Sequence, residues 1–348
     1  MNIKISQRII GNESPCFIIA EAGVNHNGDL NLAKKLVISA KEVGADCVKF
    51  QTFKADKLAS VHAPKANYQL KTTDPKESQV DMLKKLELPF DAYSELIDLC
   101  KKIDIIFMST PYNEEDVLLL ESLGVDAFKL ASISMVEPSF LEYVARRKKP
   151  IILSTGMATL GEVESGVNVI SATGNNQLIL LQCTTNYPTE LQEVNLRAMN
   201  TIKNATNCLV GFSDHTQSNL SSIAAVAIGA TVVEKHFTLD KSLPGPDQSS
   251  SYDPIEFRSL VCQIRDVEKL LGVKEKTPSL SEMKNIAGMR RSVVAKMDIP
   301  AGTKIDGAML SLMRPATYTL AKDIDLLIGK IAKKDLKMGE FIKISDTL

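Results

Sequence analysis

The sequence predicts an α/β protein: a (β/α)8 TIM barrel followed by a small, mostly β C-terminal domain. Three observations carry that expectation. Short β-rich runs alternate with amphipathic helical stretches eight times between Phe17 and Gly272, the pattern of repeated βα units. No G-x-G-x-x-G opens the first helix, which argues against an open, doubly wound dinucleotide-binding sheet. Beyond Gly272 the texture changes to a charged, proline-containing stretch, VKEKTPSLSEMKN, and then to short apolar runs punctuated by glycine.

The predicted strands are Phe17–Glu21, Cys47–Gln51, Ile105–Ser109, Ala127–Leu130, Ile151–Ser154, Leu178–Cys183, Leu209–Phe212 and Thr231–Glu234. Helices are expected between them, including Leu30–Val43, Ala92–Lys102, Glu114–Ser122 and Phe140–Arg147, with Pro254–Leu271 closing the series. Asp29 and Asn113 stand where N-caps belong, and Gly44, Gly124 and Gly272 where helices stop. The expected domains are a barrel over 1–272, a linker over 273–288 and a C-terminal domain over 289–348. That last part holds a weak repeat, Ala295–Asp306 against Ala332–Lys343, each placing a glycine in a turn between two short apolar strands.

Bulk properties exclude several function classes. A net charge of −1 leaves no excess of basic residues for a nucleic-acid or membrane-surface partner. Six scattered cysteines without a C-x-x-C pair suit a reducing compartment better than a disulfide framework. No apolar run is long enough to span a bilayer, and the N-terminal stretch lacks a signal-type apolar core. A soluble cytoplasmic protein is therefore expected.

Chemistry-bearing residues cluster where the strands end, the rim at which barrel active sites are built. They are Glu21 with Asn25 and His26; Lys49 and Gln51; Thr110; Lys129 and Ser132; Ser154; Thr184 and Asn186; Ser213 and His215; and Glu234 with His236. His215 and His236 each follow a short apolar run, with a small-residue helical segment between them. Parallel neighbouring strands would bring the two imidazoles together as a metal-ligand pair. Lys49 and Lys129 directly follow buried runs, where an ammonium needs a counter-charge, and are expected to hold an anion. Together these residues read as a pocket for a small phosphorylated acid beside a divalent metal. Glu21 is placed either as a general base or as the salt-bridge partner of Lys49. The segment Lys54–Pro89 is too long for an ordinary βα loop and is expected to act as a lid or binding element. The loop Leu243–Tyr252 brings Asp247 to the rim.

These motifs resemble the sialic acid synthase family, phosphoenolpyruvate-dependent enzymes that make N-acetylneuraminate and its bacterial nonulosonate relatives. The resemblance runs through AEAGVNHNGDL, VKFQTFKADKL, MSTPY, FKLAS, ILSTGMATLGEV, QCTTNYPT, GFSDHT and EKHFTLDKSLPGPD, and extends to a C-terminal module like the antifreeze-like (SAF) domain. It implies condensation of phosphoenolpyruvate with an open-chain N-acylated amino sugar, N-acetylmannosamine in the first instance, with release of phosphate. The alternative acceptor is a 2,4-diacetamido-2,4,6-trideoxyhexose, giving a legionaminic or pseudaminic type of acid. A catalytically silent carbohydrate-binding protein of the same fold is the competing class. By position, the resemblance makes His215 and His236 ligands of Mn²⁺ or Mg²⁺ and Glu21 a catalytic carboxylate. Lys49, Thr110, Lys129, Ser132, Ser154, Asn186 and Ser213 would bind phosphoenolpyruvate, and Gln51, Tyr187 and Asp247 the sugar. Arg314 would be donated by the SAF domain of one subunit to the barrel of the other, implying a domain-swapped homodimer.

Three departures from the family pattern fall on the acceptor side. Ser134 stands where a sugar-binding glutamate is usual, Ala316-Thr317 replaces a glycine-rich continuation after Arg314-Pro315, and Gln248 follows Asp247 where His or Ile is common. The reaction type is thus better specified than the sugar.

Overall fold

The computed structural model describes the backbone of all 348 residues and every side chain except those of Asn67 and Lys71. The chain forms two compact units, Met1–Gly272 and Val273–Leu348.

In the first unit, β1 (Asn2–Ile5) and β2 (Arg8–Gly11) form an antiparallel hairpin. Eight parallel strands follow: β3 (Phe17–Gly23), β4 (Cys47–Thr52), β5 (Ile106–Pro111), β6 (Phe128–Leu130), β7 (Ile151–Ser154), β8 (Leu178–Cys183), β9 (Leu209–Asp214) and β10 (Val232–His236). Their order is β5-β4-β3-β10-β9-β8-β7-β6, so β10 pairs with β3 and the sheet curls into a nearly closed barrel. Each predicted run is a barrel strand. Four of them, β3, β5, β9 and β10, continue two residues past the predicted end. The added residues, among them Thr110, Ser213, Asp214, Lys235 and His236, stay buried in the ladder.

Helices between the strands use the expected signals. Over Leu30–Glu42, Asp29 accepts from the Asn31 and Leu32 amides, and Ala33, Leu36, Val37 and Ala40 face the core at helical spacing. Burying the leucine and valine stabilises by roughly 1.5–3 kcal/mol each. Gly44 ends the turn at φ +87, a region closed to most side chains.

The N-terminal hairpin was not anticipated. Ile3, Ile5 and Ile10 pack in one cluster with Phe17, Ile19, Cys47, Met108, Ile152, Ile179, Leu181, Leu209 and Val232. Residues from the N-terminal halves of the strands dominate that cluster, so the hairpin plugs the end of the barrel away from the polar rim. The alternation of Ile3 and Ile5 was its sequence signal.

In the second unit, β11 (Ser292–Ala295) and β12 (Leu310–Met313) pair antiparallel. The two repeats do not form the flanking strand pairs expected. They exchange bonds with each other: Ile299 and Leu336 bond reciprocally at 2.8 Å, Gly302 N–H donates to Ala332 O and Gly339 N–H to Ala295 O. Val293, Ile299, Ile305, Leu327, Leu336 and Ile342 fill the space between. The stretch expected as a linker is half helical, over Leu280–Met289, begun by a reciprocal cap between Ser279 and Glu282. That S-x-x-E signal was present in the sequence.

Candidate active site

β9 and β10 lie side by side, with Ser213 opposite Glu234 and Asp214 opposite Lys235. Side chains alternate along a strand, so Ser213 and Glu234 share the inner face. His215 directly follows β9 and His236 ends β10. Their ring centroids are 5.4 Å apart at 65°. Tyr187 packs against both rings, at 4.0 Å from His215 and 5.3 Å from His236. On its other side it meets Tyr68 of the lid at 4.9 Å.

Burial favours the neutral form of both imidazoles. Burial brings His215 down to about 4, opposed by its hydrogen bond to a backbone carbonyl. Burial, then the neighbouring His215, takes His236 well below its ordinary value. His215 Nδ1 lies 2.8 Å from Thr184 O, so Nε2, at a long 3.5 Å from Ser213 Oγ, is the nitrogen that can turn to a ligand. His236 Nδ1 is buried without a hydrogen-bond partner and stands 3.7 Å from Asp247 Oδ2. Two buried neutral imidazoles, one with an orphaned nitrogen, fit a divalent cation. No cluster of three or more His, Cys, Asp or Glu side chains is arranged to hold a metal among the described residues. A cation on this pair would draw its remaining ligands from substrate or water.

Beside the pair is a buried ionic cluster. Lys49 Nζ contacts Glu21 Oε2 at 2.7 Å, donates to Thr110 Oγ1 at 3.0 Å and lies 3.7 Å from Glu234 Oε2. Lys129 Nζ donates to Ser154 Oγ at 2.8 Å and Leu130 O at 3.0 Å, 3.5 Å from Glu234 Oε1. Ser213 Oγ donates to Glu234 Oε1 at 3.1 Å. Glu234 thus joins the two lysines. Burial raises its carboxyl, but Lys129 and Lys49 outweigh that and hold it down at about 2. Burial pushes Glu21 up to about 7, with Lys49 opposing and Glu234 adding to the rise. Burial also takes Asp247 up to about 6 against Lys49. The counter-charges the lysines needed are therefore these carboxylates, and Glu21 makes the salt bridge that was one of its two readings.

Gln51 Nε2 donates to Glu21 Oε1 at 3.2 Å while Tyr112 donates to Gln51 Oε1 at 3.2 Å. Gly23, at φ +52, sits at a register shift between β3 and β4, and a Cβ there would press on Glu21 Oε1 at 3.2 Å and Gln51 Nε2 at 3.3 Å. Ser132 accepts from Gly156 N–H at 3.0 Å, and a Cβ at Gly156 would collide with Thr185 and Ser132. A cavity of about 430 Å³ opens above, bounded by Gln51, Tyr112, Ser132, Tyr187, His236 and Asp247 on the rim and by Leu58, Tyr68, Met82, Leu83 and Leu86 from the lid.

Most of the expected barrel residues meet here, but three positions depart. Asn186 is exposed, with its amide 3.5 Å from Glu193. Ser134 is buried on a short 3-10 helix and does not line the cavity. Gln248 turns into the protein, donating to Asn25 O at 2.9 Å and accepting from Thr238, so it ties the Asp247 loop down and does not line the cavity. Arg314 belongs to the second unit, exposed, donating to Met289 O at 3.0 Å. Sequence reasoning gave no role to Glu234. Its signal was a third carboxylate two residues before His236, hence on the same face of the strand.

A bis-imidazole pair, a buried lysine–carboxylate cluster and a lidded cavity stand together at the C-terminal rim of the barrel, where enzymes of this fold build their sites. The chain matches the NeuB family over residues 36–276 and the SAF domain over 290–346. It is 50% identical to the N,N'-diacetyllegionaminic acid synthase of Campylobacter jejuni, over 94% of this chain and 98% of the relative. It is 45% identical to the enzyme of the same name from Legionella pneumophila, over 94% of each. The crystal structure of an N-acetylneuraminic acid synthetase from Leptospira borgpetersenii superposes with a TM-score of 0.74 at 32% identity, over 82% of this chain and 95% of that one. The chain belongs to the NeuB family: it is a nonulosonate synthase of the phosphoenolpyruvate-dependent, C–C bond-forming kind, with a C-terminal SAF domain.

Proposed function

We propose that this enzyme condenses phosphoenolpyruvate with the open-chain aldehyde of a 2,4-diacetamido-2,4,6-trideoxyhexose, giving a legionaminic-type nonulosonate and phosphate. The observation that carries the reading is the graded likeness: 50% and 45% identity to two diacetyllegionaminic acid synthases against 32% to the neuraminic acid synthetase structure. N-acetylmannosamine, the first acceptor expected from the resemblance, gives way to this sugar.

In this reading Lys49 and Lys129 bind the phosphate and carboxylate of phosphoenolpyruvate, with Thr110, Ser132, Ser154 and Ser213 completing the oxygen contacts. A divalent cation, Mn²⁺ or Mg²⁺, held by His215 and His236 would polarise the aldehyde as a Lewis acid. Glu21, raised by burial toward neutral pH, is suited to hold or pass a proton beside the reacting carbons. Gln51, Tyr187 and Asp247 orient the sugar, and Tyr68 with Tyr187 helps exclude water. Arg314 acts in trans within a homodimer.

The test is phosphate release from phosphoenolpyruvate with a panel of acceptors, with and without Mn²⁺, and mass analysis of the product. Turnover is expected to be fastest with the diacetamido trideoxy sugar and to need the cation. A clear preference for N-acetylmannosamine would reject the acceptor, and no turnover on any sugar would favour the silent-protein class.

A further inference from the structure

The cavity has two unlike surfaces. Its floor is made of strand ends and the residues just beyond them, and carries Gln51, His236 and Asp247. The lid supplies an apolar patch of Leu58, Ala59, Met82, Leu83 and Leu86, joined by Val24, beside its polar Tyr68, Gln69 and Gln79. Val24 and Leu86 form a small hydrophobic cluster with Phe53, against which Leu58, Leu83 and Tyr112 pack. This cluster is separate from the main barrel core, and the chemistry assigned to the floor makes no use of it.

We propose that this apolar wall receives the C6 end of the acceptor and makes the enzyme selective for a 6-deoxy sugar, with Val24, Leu58, Leu83 and Leu86 as specificity-determining residues. The inference rests on the acceptor reading above and adds the side chains that enforce it. Phosphoenolpyruvate, with its phosphate and carboxylate, belongs with the lysines. The aldehyde carbon must meet phosphoenolpyruvate at the floor, so the extended sugar points its far end, C6, toward the lid. None of the four side chains there can donate or accept a hydrogen bond. A 6-hydroxyl set against these four side chains would give up its bonds to water without replacement there, whereas a methyl group would pack. The acetamido groups have other partners: Gln79 lines the same cavity, and Gln51 and Gln69, each bonded within the protein, keep a second amide hydrogen to offer.

The experiment compares kcat/KM for three acceptors at saturating phosphoenolpyruvate. They are the 2,4-diacetamido-2,4,6-trideoxyhexose, its 6-hydroxy counterpart, and the 6-deoxy sugar bearing a hydroxyl in place of the 4-acetamido group. Leu58 and Leu83 are half-buried, so Leu58→Gln and Leu83→Gln are the informative variants and Leu83→Met the conservative one. Wild type is expected to prefer 6-deoxy over 6-hydroxy on the order of 100-fold. Leu58→Gln and Leu83→Gln should each reduce that ratio to about tenfold or less, with KM for phosphoenolpyruvate unchanged, and Leu83→Met should retain it. An unchanged ratio in both glutamine variants, with native circular dichroism, overturns the inference while leaving the acceptor reading intact. A change only in discrimination at C4 also overturns it, assigning the wall to an acetyl methyl. A wild-type enzyme that uses N-acetylmannosamine but no diacetamido sugar rejects the acceptor reading, and the inference falls with it.

Discussion

Asp214 and Lys235 form a buried ion pair, Oδ2 to Nζ at 2.9 Å, each one residue before a site histidine. Asp214 also accepts from Thr216 N–H at 2.8 Å, Ser221 Oγ at 2.8 Å and Ser222 Oγ at 2.5 Å. Lys235 donates to Thr216 O at 2.7 Å and lies 4.2 Å from the centre of the Tyr252 ring. The pair faces outward, toward helix Asn219–Ala227, while Ser213 and Glu234 face inward. It ties the two strands and the turn after His215 to one another from behind.

Asp214→Ala is expected to destabilise the protein by about 3–5 kcal/mol, because it strands a buried ammonium. Lys235→Met should have a smaller effect, since Asp214 keeps three donors. Urea unfolding of both variants, read at constant m-value, checks the order. Equal losses would show that the ion pair itself, and not the wider network, dominates.

Lys129→Met removes an ammonium from the proposed phosphoenolpyruvate pocket. A charge-assisted hydrogen bond of roughly 1.5–3 kcal/mol corresponds to an increase of about 10- to 100-fold in KM for phosphoenolpyruvate. KM for the acceptor should hardly move. Steady-state kinetics with each substrate varied in turn decides it, and a larger effect on the sugar would remove Lys129 from this role.

Arg314→Ala should raise KM for the acceptor far more than KM for phosphoenolpyruvate. Mixed with His236→Ala, it should recover part of the activity, since a mixed dimer would contain one intact barrel served by one intact arginine. The mixing experiment is read beside a direct assay of subunit exchange. Exchange without recovery would rule out donation in trans.

The lid is pinned by ions that respond to acid. Lys65 Nζ donates to Glu77 Oε1 at 3.1 Å, Thr73 Oγ1 at 3.0 Å and Asp74 O at 2.7 Å, and Lys85 pairs with the same glutamate. Hydrogen bonds from Lys85 and then Lys65 hold the Glu77 carboxyl below its ordinary value. A folded value below the unfolded one gives stabilisation that is complete above about pH 4.3 and is lost as pH falls through the folded value. Hydrogen exchange across 65–85 should therefore quicken below about pH 4 while β8 and β9 remain protected. Glu77→Gln should abolish the acid-dependent component.

The barrel was legible because its signals are local. Apolar runs of strand length, amphipathic helices and capping residues such as Asp29 each act within a few residues, and the rim chemistry follows from where those runs end. The pairing of His215 with His236 could also be anticipated, since consecutive βα units place their strand ends together. Other features depended on which residues of similar sequence signal the fold brings together. Gln248 and Ser134 departed from the family pattern on the acceptor side but are turned away from the cavity, and Asn186 faces Glu193. Glu234 looked like one more rim carboxylate but stands between two lysines.

What the sequence determined by itself is thus the barrel, the rim and the set of groups available there, because short-range periodicity and strand order dictate them. Only the tertiary structure decided which lysine meets which carboxylate, which histidine nitrogen is left unpartnered and which lid side chains close the cavity. Those outcomes depend on packing between segments tens to hundreds of residues apart. Side-chain direction there is set by burial and competing hydrogen bonds, and no local pattern encodes it.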